Sequence, residues 1–72
     1  MPAHGELTTR EKQILELIAR GGTDMLIAEQ LGISRRTVSR HVSDLLVRLG
    51  AQTRSEAVAM ALKGGLLALS DD

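Results

Sequence analysis

The sequence predicts an all-α fold, a compact four-helix domain that contains a helix-turn-helix. Apolar residues recur at spacings of three and four along most of the chain, which is the period of an amphipathic helix. Glycines follow these stretches, where a helix commonly ends. No stretch alternates polar and apolar residues for long enough to predict a strand. With 72 residues, the chain has room for one domain and not for two.

The first two helices begin at residues that suit helix N-termini. Thr8 and Glu11 have the spacing of a capping box, in which each side chain accepts a hydrogen bond from a backbone N–H of the other residue. The helix that they open is predicted to run to about Arg20. Thr23 or Asp24 can cap a second, shorter helix.

A glycine turn separates the second helix, which ends at Leu31, from the third. Gly32 supplies the turn, and Ser34 caps a third helix over residues 35–49. At 1.5 Å per residue this helix is about 22 Å long, the longest of the four. A second capping-box pattern, at residues 53–56, opens a fourth helix that ends near Lys63.

Two short helices joined by a tight glycine turn are the layout of a DNA-binding helix-turn-helix. Ala28 is small where the two helices approach each other closely. Apolar residues stand where the helices must pack together: Ile27, Leu31, Ile33 and Val38. The remaining packing position is His41, which we interpret as a partly buried histidine at the edge of the core.

The third helix is predicted to have two different faces. At about 100° per residue, one face collects apolar residues that belong to a core: Val38, Val42, Leu45 and Leu49. The opposite face presents small and basic side chains together with one valine: Arg36, Ser39, Arg40, Ser43 and Val47. A helix fits the major groove, where an arginine can donate two hydrogen bonds to guanine. Arg40 is therefore the best candidate for reading a base.

Other residues are better suited to phosphates, which position a protein on DNA without reading its sequence. On the third helix these residues are Arg35, Arg36, Thr37 and Arg48. The start of the second helix, at Thr23, is a further candidate because its backbone N–H groups are free, although Asp24 there would repel a phosphate.

The charge is unevenly distributed, although the formal net charge is zero. Residues 34–54 carry five arginines against one acidic residue, Asp44, for a net charge of +4, and the segments on either side each carry −2. The chain has no Phe, Tyr or Trp, which argues against proteins that stack single-stranded bases on aromatic rings. The sequence therefore predicts a sequence-specific, double-stranded DNA-binding transcriptional regulator, or its output domain, with residues 35–49 reading the major groove.

Several classes of protein are excluded by what the sequence lacks. There is no cysteine and no cluster of histidine and carboxylate ligands, so we expect no metal and no cofactor. No motif activates a nucleophile, so an enzyme is not expected. No apolar run is long enough to span a membrane, and we expect a cytoplasmic protein. Residues 1–6 are predicted to be a flexible N-terminal segment, and residues 68–72 a C-terminal tail.

Residues 7–67 resemble the LuxR/GerE-type helix-turn-helix domain, the output domain of quorum-sensing regulators and of NarL/FixJ-type response regulators. The resemblance rests on short motifs in the family's order and spacing: Leu7-Thr8-Thr9-Arg10-Glu11, Ile27-Ala28-Glu29, Leu31, Ile33-Ser34, Thr37-Val38, His41, Leu49-Gly50 and Arg54-Ser55-Glu56-Ala57. It implies a domain that binds DNA as a dimer through its third helix, with the fourth helix forming the dimer contact. It also implies base contacts at Ser39, Arg40 and Ser43.

The chain departs from the family pattern at the reading surface and in the second helix. Ser39 stands where members usually have lysine, so a target sequence cannot be carried over from a relative. Met25 and Leu26 replace a usual Lys-Glu pair, so we expect one of them to be exposed. The family's usual ion pair between the first and fourth helices maps to Glu11 and Arg54, which makes Arg54 a structural residue first.

The fourth helix is apolar nearly all round, which leaves a second face to bury. We predict a homodimer contact at Val58, Ala61 and Leu62; the alternative is that the whole segment is core. Two other functions stay open. One is a sigma-factor-like promoter-binding domain that associates with RNA polymerase, and the other is an all-helical protein-interaction module whose arginines bind an acidic partner.

Overall fold

Four α-helices make up the fold in the computed structural model, which describes residues 7–67. They are α1 (Thr9–Ala19), α2 (Asp24–Leu31), α3 (Arg35–Leu49) and α4 (Arg54–Lys63). Residues 7–67 contain no strand, so the predicted all-α, four-helix fold is confirmed. The predicted flexible segment 1–6 and the tail 68–72 lie outside the described residues.

Every helix begins at a hydroxyl side chain that accepts a backbone hydrogen bond from the third residue beyond it. These N-caps are Thr8, Thr23, Ser34 and Thr53. The capping box of α1 is complete, because Thr8 N donates to Glu11 Oε1 at 2.9 Å. The box predicted for α4 is only half formed, since Glu56 Oε1 accepts from Gln52 N, at 2.6 Å, instead of from Thr53 N.

Helix α3 lies at the centre of the packing and contacts each of the other three helices. The core is built from fully or almost fully buried apolar side chains: Ile14, Leu15, Ile27, Ala28, Val38, Val42, Leu45, Ala57, Ala61 and Leu67. Leu31 and Ile33 pack against its margin, and His41 is half-buried, as the helix-turn-helix spacing predicted. The packing of α2 on α3 therefore fixes the angle at which α3 is presented.

Ala61 belongs to this core, and its predicted place in a dimer contact is wrong. Its side chain is 0% exposed in the single chain, so no second chain can reach it. Val58 is half-buried and Leu62 is 40% exposed, so these two predicted contact residues remain accessible.

The turn between α2 and α3 depends on a left-handed residue. Gly32 has φ of 68° and ψ of 34°, a conformation that other residues adopt only at a cost of about 1–2 kcal/mol. A Cβ atom at Gly32 would have no neighbour within 4 Å, so the backbone alone sets that cost.

We expect Gly32→Ala to lower the free energy of unfolding by about 1 kcal/mol, measured by urea denaturation. Gly32→Asn is the matched variant and should lose less, because asparagine tolerates the left-handed region better than alanine. Equal stability of the alanine variant and the natural chain would contradict this account of the turn.

Candidate nucleic-acid interface

The outer face of α3 is open to solvent in the described structure. All five side chains predicted for this face are exposed: Arg36, Ser39, Arg40, Ser43 and Val47. Val47 is 79% exposed, whereas Val38 and Leu45 on the inner face are 0% exposed. The predicted separation of α3 into a core face and an outer face is confirmed.

The N-terminus of α3 brings polar and basic groups together at the same end of this face. Ser34 Oγ accepts a hydrogen bond from Thr37 N at 3.0 Å and lies 2.8 Å from Thr37 Oγ1. Arg35 and Arg36 follow the cap and are both exposed. Because a helix N-terminus carries a partial positive charge, the two arginines and the helix favour the same kind of ligand, an anion.

A bidentate ion pair joins the starts of α2 and α4. Arg54 Nη1 lies 2.6 Å from Asp24 Oδ1, and Arg54 Nη2 donates a hydrogen bond to Asp24 Oδ2 at 3.0 Å. This hydrogen-bonded partner lowers the pKa of Asp24 below its ordinary value and raises that of Arg54, in each case against the opposing effect of burial. Arg35 contributes a weaker attraction that also lowers the pKa of Asp24.

Thr23, just before Asp24, keeps an exposed hydroxyl. Its Oγ1 accepts from Leu26 N at 3.2 Å, and a hydroxyl that accepts can still donate its hydrogen to another group. The sequence predicts that Asp24 would repel a phosphate at this place. Its ion pair with Arg54 offsets that negative charge.

The predicted ion pair between Glu11 and Arg54 is wrong, and the partners are exchanged. The carboxylate of Glu11 is buried, and its Oε1 lies 3.4 Å from Arg48 Nε while it also accepts the capping hydrogen bond from Thr8 N. Arg54, the first residue of α4, pairs with Asp24 at the start of α2. Its predicted structural role stands, with Asp24 as its partner.

Arg48 is a less favourable phosphate contact than the sequence suggested. Its side chain is 34% exposed and pairs with Glu11, so the guanidinium links the end of α3 to the start of α1. A charge committed to a buried carboxylate is a poor phosphate contact, because leaving that carboxylate unpaired is costly.

Large apolar side chains are exposed on α2 and α4. On α2, both Met25 and Leu26 are exposed, at 55% and 48%, which confirms the expectation drawn from the missing Lys-Glu pair. On α4, Met60 and Leu62 are 39% and 40% exposed, on different sides of the helix because they are two residues apart. A cavity of about 130 Å³ lies between α1 and α2, below the roughly 300 Å³ at which small-molecule pockets begin.

Comparison with known proteins gives consistent matches along the chain. A family described as "Bacterial regulatory proteins, luxR family" matches residues 5–61. The spore germination protein GerE of Bacillus subtilis (strain 168) is 41% identical over 63 residues, which cover 88% of this chain and 85% of GerE. The transcriptional regulatory protein YdfI of the same organism is 38% identical over 66 residues, which cover 92% of this chain but 31% of YdfI. The chain thus spans about a third of the length of that relative.

Solved structures match equally well. The structure of GerE superposes with a TM-score of 0.84 at 39% identity, covering 89% of this chain and 96% of GerE. The Vibrio cholera VqmA–ligand–DNA complex superposes with a TM-score of 0.81 at 28% identity, covering 97% of this chain and 31% of VqmA. Among residues 7–67, none of the helices has the length and apolar character that crossing a lipid bilayer requires.

Proposed function

Because the chain belongs to the luxR family of bacterial regulatory proteins, we propose that the outer face of α3 enters the major groove of a specific DNA duplex. The four helices are the family's helix-turn-helix DNA-binding domain, and the family is one of transcriptional regulators rather than enzymes. One observation carries the proposal: Arg36 and Arg40 are exposed, while Val38, Val42 and Leu45 on the opposite face of the same helix are buried.

Base reading is assigned to Ser39, Arg40 and Ser43. They occupy adjacent positions on the exposed side of the first two turns and a half of α3, the part of a recognition helix that contacts base edges. Arg40 would donate two hydrogen bonds to guanine O6 and N7, and the two serine hydroxyls would bond to neighbouring base edges or phosphates. No large side chain on this face would hold the helix away from the groove.

Phosphate contacts are assigned to Thr23, Arg35, Arg36 and Thr37. They lie at the starts of α2 and α3, the ends of the two helices at which backbone dipoles favour anions. Arg35 and Arg36 supply the charge, whereas the two threonines supply hydroxyl donors. These contacts would fix the orientation of α3 and account for most of the salt dependence of binding.

A titration against duplex DNA at several salt concentrations tests the proposal, with the duplex selected from a random pool. Arg36→Ala should lower the affinity about five- to ten-fold at 0.1 M salt on every duplex, because one phosphate contact contributes about 0.9 to the slope of log K against log salt. Lys12→Ala, which removes the same charge from the exposed side of α1, is the matched control and should change little. No duplex binding at low salt would reject the proposal and favour a protein-interaction module.

We also propose that two chains bind DNA side by side through α4. Val58 and Leu62, four residues apart, give one side of this helix accessible apolar side chains, which a two-fold contact would bury. The two copies of α3 would then meet half-sites one helical turn apart on a roughly palindromic operator. A cytoplasmic location and contact with RNA polymerase are proposed from the regulatory role of the family.

The dimer proposal predicts cooperative binding to a palindromic duplex. Leu62→Glu should abolish the cooperativity, because it places two carboxylates in the contact, and should leave binding to a single half-site unchanged. Glu29→Gln, a charge change on the exposed side of α2, is the control. Analytical ultracentrifugation of the complexes would show one chain per duplex for the Leu62 variant, and two chains would contradict the proposed contact.

A further inference from the structure

The ion pair between Asp24 and Arg54 lies beside residues assigned to phosphates. Asp24 follows Thr23 directly in the chain, and the positive charge of Arg35 contributes to lowering the pKa of its carboxylate. Both partners are partly accessible, with side chains 27% and 40% exposed. The pair is therefore at the edge of the proposed DNA-binding surface and not within the core.

The ion pair is bidentate, a geometry that fixes the position of the Asp24 carboxylate. Two parallel contacts, of 2.6 and 3.0 Å, occupy both carboxylate oxygens of Asp24. An unpaired carboxylate at the same place would act on any phosphate that approached, and it would also attract the neighbouring guanidinium of Arg35.

We propose that Arg54 is a positioning residue for DNA binding: by holding the carboxylate of Asp24, it leaves Arg35 available to a phosphate and removes a negative charge that would oppose contact at Thr23. This inference rests on the proposed function. On this inference, Arg54 affects DNA binding without contacting DNA. The sequence alone predicts only an ion pair within the domain for this residue.

Three variants, measured on one duplex selected with the natural chain, separate this effect from a structural one. Arg54→Gln should lower the affinity about five- to ten-fold at 0.1 M salt and make the slope of log K against log salt shallower by about one, as expected for the loss of one phosphate contact. Asp24→Asn should bind as well as the natural chain or better, although it also breaks the ion pair.

The double variant Asp24→Asn/Arg54→Gln is the decisive one. It lacks the ion pair, as Arg54→Gln does, but it has the net charge of the natural chain and no free carboxylate. We expect its affinity to return to within about two-fold of the natural value. Lys12→Gln, which has the same net charge as Arg54→Gln, controls for charge alone and should bind normally.

Circular dichroism melting of each variant accompanies the titrations. A double variant as weak as Arg54→Gln would overturn the inference and leave Arg54 a purely structural residue, and so would a weakened Asp24→Asn. An Arg54→Gln variant that binds normally would also overturn it. If Arg54→Gln does not fold, Asp24→Asn alone decides between the two roles. Failure of the natural chain to bind any duplex would instead reject the proposed function.

Discussion

Arg40→Ala is expected to weaken binding to the selected duplex by about ten- to a hundred-fold, because a bidentate contact to guanine contributes about 1–3 kcal/mol of discrimination. The full loss should be seen only on the duplex that carries the preferred base. On duplexes of unrelated sequence, the same variant should lose only what one positive charge contributes. The measurement is a competition titration at constant salt, with duplexes that differ at single base pairs.

Arg36→Ala is the matched control for Arg40→Ala, since the two arginines are one helical turn apart on α3 and both are exposed. Arg36 is assigned to phosphate, so its replacement should weaken binding to all duplexes by similar factors. If Arg40→Ala also weakened all duplexes equally, Arg40 would be a phosphate contact, and base reading would have to come from the serines of the same face.

Leu45→Ala is expected to lower the free energy of unfolding by about 2–5 kcal/mol, the usual range for removing a buried leucine side chain. Leu45 is 0% exposed and lies on the helix that contacts all the others, so the cavity would open at the centre of the domain. Small domains lie at the lower end of a stability range of about 5–15 kcal/mol, so a large fraction of the variant should be unfolded at 37 °C.

The control for Leu45→Ala is Val47→Ala, two residues along the same helix. Val47 is 79% exposed, and its replacement should change stability by less than about 0.5 kcal/mol in urea or thermal denaturation. Similar losses in both variants would mean that the two faces of α3 are not as different in packing as the structure describes.

The helix boundaries could be predicted because they depend on local chemistry. A hydroxyl that accepts a backbone N–H at the third residue beyond it is encoded within four positions, and all four N-caps fall at predicted residues. Likewise, Gly32 and Gly50 end α2 and α3 in the left-handed conformation that glycine permits. The orientation of α3 followed from its period, since only one of its faces is apolar.

The ion pairs could not be predicted because they depend on how helices lie against one another. Glu11 and Arg54 are both at helix starts, and nothing local distinguishes pairing between them from the pairs that form, Glu11 with Arg48 and Asp24 with Arg54. A charged residue close to the N-terminus of α2 was noticed in the sequence, but its partner is thirty positions away.

For helix α4, the sequence likewise could not predict which apolar residues are buried. Because α4 is apolar nearly all round, its sequence does not show which side packs on the other helices. Ala61 is predicted to lie in a dimer contact, but it is buried in the core. The periodicity that oriented α3 was absent. Which residues of α4 are exposed is therefore determined by the packing of α4 on α1 and α3.

The exposed face of α3 has a consequence for how regulators of this kind can diverge. Ser39, Arg40 and Ser43 make no contribution to the core, so if they read bases as proposed, substitutions there would change the preferred operator with little effect on folding. A duplicated gene could acquire a new set of target promoters through two or three such changes while its protein stayed as abundant as before. On the proposed function, folding depends on one side of α3 and target choice on the other.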